Sequence, residues 1–341
     1  MPHSPFSFTR NLRRLAFFSF AVPMLFAIAC GGGEGSGDGE GGNAASPKLM
    51  SIVSGGQQGI YYPSAIQFSN IINNSAEGVK VSVETSGGSV ANARLLANKD
   101  ADFATMQNDI AFYADRGEGM FDAKIENLRG VVSLYPEVCQ IVVRAGSGIK
   151  TINDLRGRKV SIGAPGSGTE MNARQILQAY GLEPDDLGLV ERLKNTEASD
   201  KLKDGHIEAA FLTYGLGAPV ITDMSVTTDI RIIAVSPEKA AGLVEKYPFY
   251  KATVIPAGTY KGVDADVPTV SVMAWFFARA ELDEEVVYQT AKGLFDNLET
   301  LHGPTSPDRL KAMSLETALD GLSVELHPGA LRYYKERGIA P

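Results

Sequence analysis

The sequence predicts an α/β protein in which two lobes enclose a central ligand cleft. Apolar segments of strand length alternate with segments of helical spacing, and Gly- and Ser-rich loops separate them. This alternation is typical of a parallel sheet with helices on its faces. It occurs in two successive blocks, residues 49–116 and 137–235, and a chain of 341 residues is long enough for two α/β lobes.

The first block shows the alternation most clearly. A helix is predicted over residues 62–73, because Ala65, Phe68 and Ile72 recur at helical spacing. Residues 79–84 (VKVSVE) alternate between apolar and polar side chains, as a strand does. The other predicted elements are strands over 49–53 and 102–106 and helices over 90–98 and 108–116.

The second block repeats the pattern. An apolar strand is predicted over residues 137–143, and Gly157 ends a short helix that begins with residues 151–155. A helix over residues 171–180 is followed by Gly181, which fits the position just after a helix end. The remaining predicted strands cover residues 160–162, 207–211 and 232–235.

The C-terminal third contains a segment that returns to these blocks. Residues 269–277 (TVSVMAWFF) are apolar and favour a strand, and residues 284–301 carry one apolar stripe of an amphipathic helix. Two α/β blocks followed by a return segment predict two lobes with a cleft between them. Periodicity alone does not assign the returning segments to either lobe.

The composition excludes several classes of function. Hydrophobic residues make up 44 % and charged residues 21 %, and the formal net charge is -8 with no basic patch, so no nucleic-acid partner is predicted. The four histidines lack the spacing of metal ligands, so neither a metal site nor a cofactor is predicted. Cys139 lies in an apolar run, which indicates a buried strand thiol rather than a reactive one.

The N-terminus is typical of a lipoprotein signal peptide over residues 1–29. Three arginines precede a short apolar run that is interrupted by Pro23, and small residues stand before Cys30. The arrangement resembles a bacterial lipobox, in which the cysteine is acylated and becomes the new N-terminus. The alternative is an ordinary signal peptide followed by an incidental cysteine.

The Gly-rich residues 30–47 follow the lipobox. They contain almost no apolar side chain, so they predict a flexible tether between a lipid bilayer and the folded part. The sequence therefore predicts an extracytoplasmic protein, in the periplasm or at the cell surface, which is anchored to the membrane through acylated Cys30.

Three loops, residues 54–62, 86–92 and 163–170, are predicted to hold a ligand. Each lies between a strand end and a helix start, where ligands bind in open α/β sheets. A helix start offers unpaired N–H groups and a partial positive charge, and glycine permits close approach to the backbone. Such loops can cradle a carboxylate without an arginine, although each loop taken singly also fits a tight turn with a helix cap. Their hydroxyl donors are Ser54, Ser89, Ser167 and Thr169.

Residues 163–170 (GAPGSGTE) match no catalytic or nucleotide-binding motif. They lack the lysine of a P-loop and the GxGxxG spacing. Pro165 and Thr169 stand where a GxSxG elbow needs glycine, and no histidine is close in sequence to activate Ser167. The sequence therefore predicts no catalytic residue. Gln107, Tyr61 and Glu170 are candidate ligand contacts, with a loop amide, a packing ring and a helix cap as the respective alternatives.

An ordered set of motifs extends from Lys48 to the C-terminus. It opens with Gly55-Gly56-x-x-Gly59-Ile60-Tyr61-Tyr62-Pro63. The later motifs lie at residues 88–92, 104–109, 134–137, 154–160, 163–169, 247–250, 255–260 and 327–330. The set as a whole resembles the TAXI family, the TRAP-associated extracytoplasmic solute receptors.

The resemblance implies a two-lobed type II periplasmic-binding-protein fold with a central ligand cleft. Lobe 1 would comprise residues 48–136 and 237–341 and lobe 2 residues 137–236, with crossovers near 135–138 and 235–236. The protein would be the solute receptor of a TRAP transporter. It would capture a small carboxylate or amino acid, such as glutamate or glutamine, and deliver it to the membrane permease without making or breaking a bond.

The resemblance also implies a set of ligand contacts in which backbone amides and hydroxyls hold a carboxylate. Two alternatives remain open: an enzyme on a similar scaffold, and the ligand-binding module of a membrane sensor. The enzyme would need an acid, base or nucleophile that the sequence does not display. The implied contacts are Gly59, Ile60, Tyr61, Ser89, Gln107, Ser167, Gly168, Thr169, Glu170 and Tyr214.

Overall fold

A computed structural model describes residues 46–57 and 59–340 of the chain. The predicted signal peptide, Cys30 and all but the last two residues of the predicted tether lie outside the described residues, so these assignments stay predictions. Within the described ranges, no helix combines the length and the apolar character that crossing a bilayer requires.

The described residues form a mixed sheet with helices packed around it, which confirms the predicted α/β class. Short 3₁₀ turns lie at Ala145–Ser147, Ile152–Leu155, Pro184–Asp186 and Asp308–Ala312. The strands are β1 (Lys48–Val53), β2 (Val79–Glu84), β3 (Phe103–Gln107), β4 (Leu128–Arg144), β5 (Lys159–Ser161), β6 (Leu189–Glu191), β7 (Ala209–Tyr214), β8 (Ile230–Ile233), β9 (Lys251–Ile255) and β10 (Val267–Arg279). The helices are α1 (Tyr61–Ser75), α2 (Ser89–Ala97), α3 (Asn108–Arg116), α4 (Gly168–Ala179), α5 (Asn195–Lys203), α6 (Pro219–Thr227), α7 (Pro237–Lys246), α8 (Glu284–Asp296), α9 (Leu298–Leu301) and α10 (Pro328–Glu336).

Most predicted elements agree with the structure to within about three residues at each end, and two differ by more. The predicted helix over 284–301 is divided into α8 and α9, because Asn297 leaves helical geometry (φ −112°, ψ 26°). Its Nδ2 donates to the carbonyl oxygen of Gly293 at 2.8 Å, which closes the end of α8. The predicted strand over 137–143 is the second half of β4, which is 17 residues long.

The sheet consists of two half-sheets that share β4 and β10. The strand order is β2-β1-β3-β10-β4-β7-β5-β6, with β8 beside β4 and β9 beside β10. β1 is parallel to β2 and β3, and β5 is parallel to β6 and β7, whereas β4 and β10 are antiparallel to their neighbours. The second half of β10 pairs with β3, and the second half of β4 pairs with β7. The two long strands therefore connect two lobes.

The second passage between the lobes was expected near residues 235–236, and the contacts of α7 and β9 bear on that prediction. The N–H of Ser236 donates to the hydroxyl of Tyr180 at 2.8 Å, so α7 begins against the end of α4. β9 pairs with the first half of β10, from Val267 to Ser271. Because these contacts attach α7 and β9 to the second lobe, we propose that the chain returns to the first lobe along β10.

Apolar packing fills each lobe and also joins the two lobes on one side. In the first lobe, the ring of Phe276 lies 5.2 Å from that of Phe68 and 5.3 Å from that of Phe103. Another cluster of buried side chains includes Ile110 of α3 and Ile176 of α4. Burial of each such side chain stabilises the fold by about 1.5–3 kcal/mol, so α3 and α4 are held together beside the cleft.

Candidate functional site

A cavity of about 330 Å³ lies between the lobes at the ends of several strands. Its lining is rich in glycine and hydroxyl side chains, as the sequence predicted for the three loops. The second lobe contributes the loop before α4, the loop before α5 and the end of β7. The lining residues are Gly55, Gly56, Gln57, Gly59, Ile60, Tyr61, Ser86, Gly87, Gly88, Ser89, Gln107, Glu137, Ala164, Ser167, Gly168, Thr169, Lys194, Asn195, Thr196, Thr213 and Tyr214.

Helix N-termini from both lobes converge on this cavity. α1 begins at Tyr61 and α2 at Ser89 in the first lobe, and α4 begins at Gly168 in the second. The N–H of Val90 donates to the carbonyl oxygen of Gly166 at 3.3 Å, so the starts of α2 and α4 meet directly across the cleft. Three helix starts around one cavity concentrate N–H donors and positive dipole ends there.

Ser167 is the N-cap of α4. Its Oγ accepts from the N–H of Glu170 at 3.2 Å and donates to the carbonyl oxygen of Ala164 at 2.7 Å. Both bonds hold the loop in the turn that exposes the N–H groups of the first helical residues. The hydroxyl of Ser167 therefore positions the loop, and among the described residues no basic side chain hydrogen-bonds it.

Gln107 is the last residue of β3, and its side chain reaches the start of α4. Its side chain is buried, and a methyl group placed on Gly168 would overlap its Oε1. This oxygen has no hydrogen-bond partner among the described residues. The backbone N–H of Gln107 donates to Ser89 Oγ at 3.1 Å, so the two residues fix each other in the lining.

Glu137 is the acidic residue of the lining and was not predicted as a site residue. It is 3 % exposed, and its Oε2 accepts from the Tyr61 hydroxyl at 2.7 Å. Burial raises the pKa of its carboxyl to about 8, although hydrogen bonds from Tyr61 and Gln107 oppose the shift. The sequence signal was an ionisable residue at the start of an apolar strand, where an apolar side chain is expected.

Glu170 lies outside the cavity lining. Its Oε1 accepts from Arg174 and from Arg192, each at 3.0 Å, and its Oε2 accepts from the N–H of Gly166 at 3.1 Å. Burial alone would raise the pKa of its carboxyl, but these hydrogen bonds lower it. The geometry gives Glu170 the role of stabilising the loop before α4, which was the alternative to ligand contact.

The other predicted contacts line the cavity together. Gly59, Ile60 and Thr169 belong to the helix starts, and Tyr214 ends β7 with its hydroxyl close to Gly59. Nine of the ten predicted residues thus share one cavity. Their contact with a ligand stays a prediction. The lining also includes Lys194, Asn195, Thr196 and Thr213, which, like Glu137, were not predicted from the sequence.

The cleft widens beyond this cavity. An adjoining space of about 810 Å³ shares Gln57, Gly59, Ile60 and Thr196 with it and reaches the turn before Arg309. The smaller cavity is the part that the helix starts surround. The wider space offers a route from solvent to it.

The groups that line the cavity are suited to hydrogen bonding. Within the described ranges, no group of three or more His, Cys, Asp or Glu side chains is arranged to hold a metal ion. Cys139 is buried, and burial raises the pKa of its thiol to about 12, which leaves it protonated and unreactive. The hydroxyls and N–H groups can donate hydrogen bonds to an anion without chemical change.

Comparison with solved structures identifies the fold. The alkanesulfonate-binding protein SsuA from Xanthomonas axonopodis pv. citri, bound to MOPS, aligns with a TM-score of 0.50 and 15 % identity over 87 % of this chain and 96 % of that one. PhnD1 from Prochlorococcus marinus (MIT 9301), in complex with methylphosphonate, aligns with a TM-score of 0.55 and 12 % identity over 86 % of this chain and 97 % of that one. The predicted two-lobed periplasmic-binding-protein fold is confirmed.

The family follows from the sequence itself. The model of the NMT1-like family matches residues 52–338, and the chain belongs to that family. The resemblance to the TAXI family of TRAP receptors is therefore wrong. Its motifs at residues 55–63, 88–92 and 163–169 lie at the turns that start α1, α2 and α4, whereas residues 134–137 lie within β4. The turns at helix starts are features of a two-lobed binding fold and do not distinguish the type of transporter.

Proposed function

We propose that this protein is an extracytoplasmic receptor that binds a small anionic solute and delivers it to a membrane transporter. The observation that carries the proposal is the convergence of the starts of α1, α2 and α4, from both lobes, on one cavity. A ligand held from both lobes favours their closed arrangement, and closure gives the transporter a surface to recognise.

The anionic group of the solute would lie against the helix starts. N–H groups, Ser89 and Thr169 supply donors there, and no arginine is among the described residues of the lining. Carboxylate, sulfonate and phosphonate groups all suit such donors. MOPS and methylphosphonate, which are bound to the two similar proteins, carry a sulfonate and a phosphonate. A cavity of about 330 Å³ is at the lower end of small-molecule sites, which suits a solute of metabolite size.

The residues that line the cavity are suited to binding a solute without catalysis. A hydrolase would need a nucleophile beside a base, and Ser167 instead bonds Ala164 and Glu170. The proposed location is extracytoplasmic, with the chain attached to a bilayer through acylated Cys30. A flexible tether would let the folded part reach the transporter.

Calorimetric titration of two variants tests the proposal. Candidate solutes are first screened by thermal shift, because a ligand that binds the native state raises its melting temperature. Ser89→Ala and Thr169→Ala should then each weaken binding about ten-fold or more, since a hydrogen bond to a charged group contributes about 1.5–3 kcal/mol.

Ser82→Ala is the matched control, because Ser82 is exposed on β2. It should bind as the wild type does. Unchanged affinity in both Ser89→Ala and Thr169→Ala would contradict the placement of the anionic group at these helix starts.

A further inference from the structure

Glu137 is a carboxyl group in the wall of the cavity with no cation beside it. It makes no ion pair among the described residues, and its hydrogen-bond donors, the Tyr61 hydroxyl at 2.7 Å and the side-chain amide of Gln107, are both neutral. Only 3 % of the residue is exposed. Burying a carboxyl group without a cation is unfavourable, so its presence calls for a partner that the chain itself does not supply.

The side chains described around Glu137 are neutral or acidic. Gln107, from the end of β3, adds a buried carbonyl oxygen without a hydrogen-bond partner among the described residues. The titratable groups that act on Glu137 or are acted on by it are Tyr61 of α1, Tyr135 and Cys139 of β4, Tyr214 of β7 and Asp109 of α3. None of them carries a positive charge. The basic residue of the lining, Lys194, is exposed at the start of α5.

We propose that Glu137 is the subsite for a positively charged nitrogen of the solute, so that the solute is a zwitterion with its anionic group at the helix starts. This inference rests on the proposed function. An ammonium group donates hydrogen bonds and brings the charge that the buried carboxyl lacks. Gln107 Oε1 provides a second acceptor in the same lining.

Binding of such a solute releases a proton. Before binding, burial holds the Glu137 carboxyl neutral at pH 7, because its pKa is raised to about 8. The ammonium favours the carboxylate, so the Glu137 proton leaves to the solvent and the ammonium keeps its own protons. Charge and atoms balance: one cationic nitrogen enters, one proton departs, and no covalent bond between heavy atoms changes.

Matched solute pairs test the subsite. Each pair shares its anionic group and differs in the ammonium: L-glutamate and glutarate, taurine and ethanesulfonate, aminomethylphosphonate and methylphosphonate. Calorimetry should find a pair in which the ammonium compound binds at least ten-fold more tightly. Equal affinity within every binding pair would overturn the Glu137 subsite and leave the proposed function standing. Absence of binding by all six compounds would count against both.

A second experiment measures the proton directly. Titrations of the tighter ligand at pH 7, in buffers of different ionisation enthalpy, should show release of roughly one proton per solute. Glu137→Gln should abolish the release and weaken binding at least ten-fold, with little change in melting temperature. The exposed control Glu77→Gln should retain the release. Proton release that persists in Glu137→Gln would overturn the proposal.

Discussion

Replacement of Gly168 by alanine should weaken solute binding without unfolding the protein. Gly168 is the first residue of α4, and a side-chain methyl there would overlap Oε1 and Cδ of Gln107. The backbone φ of Gly168 lies outside the left-handed region, so alanine meets no backbone strain. The amide of Gln107 must therefore move, and the space beside it is the cavity.

The magnitude follows from the displaced amide. Forcing a side chain out of a packed position is unfavourable by about 1–3 kcal/mol. In the free protein, Gln107 avoids most of this by turning into the cavity. A solute must push the amide back, so this energy of about 1–3 kcal/mol opposes binding. It corresponds to a loss of roughly 5- to 150-fold in affinity.

Calorimetry and urea unfolding of Gly168→Ala measure both quantities. Gly242→Ala is the matched control, because Gly242 lies within α7 and an added methyl there meets nothing within 4 Å. The control should raise the free energy of unfolding by up to about 1 kcal/mol and leave affinity unchanged. Gly168→Ala that binds within two-fold of the wild type would refute the reasoning.

Two further predictions concern pH and the N-terminus. Burial raises the pKa of Asp109 from 3.8 to about 7, so its contribution to stability is present below pH 4 and is lost as pH rises through 7. Asp109→Asn should therefore raise the free energy of unfolding at pH 8 by an amount on the order of a few kcal/mol, and the melting temperature with it. At pH 4 the substitution should change both little. Equal shifts of the melting temperature at both pH values would contradict this prediction. Cys30→Ser should move the protein from the membrane fraction to the soluble fraction after cell fractionation, and a variant that stays with the membrane would contradict acylation.

The positions of the loops that line the cavity could be predicted from the sequence because their chemistry is local. Glycine before a helix start, with Ser89 or Thr169 in the first turn, exposes N–H and hydroxyl donors wherever the chain runs. A strand before each loop places it at one edge of the sheet. Nine predicted residues consequently meet in one cavity, although the sequence alone could not show whether a given loop also caps its helix.

The missed parts of the site depend on contacts distant in sequence. Glu137 begins an apolar run, and its place in the cavity follows from β4 passing between β10 and β7. The loop of Lys194 follows β6, which has only three residues and gives no periodic signal. The return along β10 depends on its pairing with β9, which local sequence does not encode.

α4 connects the cavity to a polar network between the lobes. Its first residue, Gly168, lines the cavity, and one turn later Asn172 donates to Asp109 of α3 at 2.8 Å and to the Tyr250 hydroxyl at 3.0 Å. Gln175 then donates to the Tyr113 hydroxyl at 2.7 Å and accepts from Tyr250 at 2.5 Å.

These bonds lie within the first three turns of one helix, which moves as a rigid rod. A solute that draws the start of α4 towards α2 therefore favours the same arrangement as the bonds from α4 to α3. The polar network should contribute to affinity without touching the solute. Ionisation of Asp109, which hydrogen-bonds Asn172, should then alter solute affinity as well as stability.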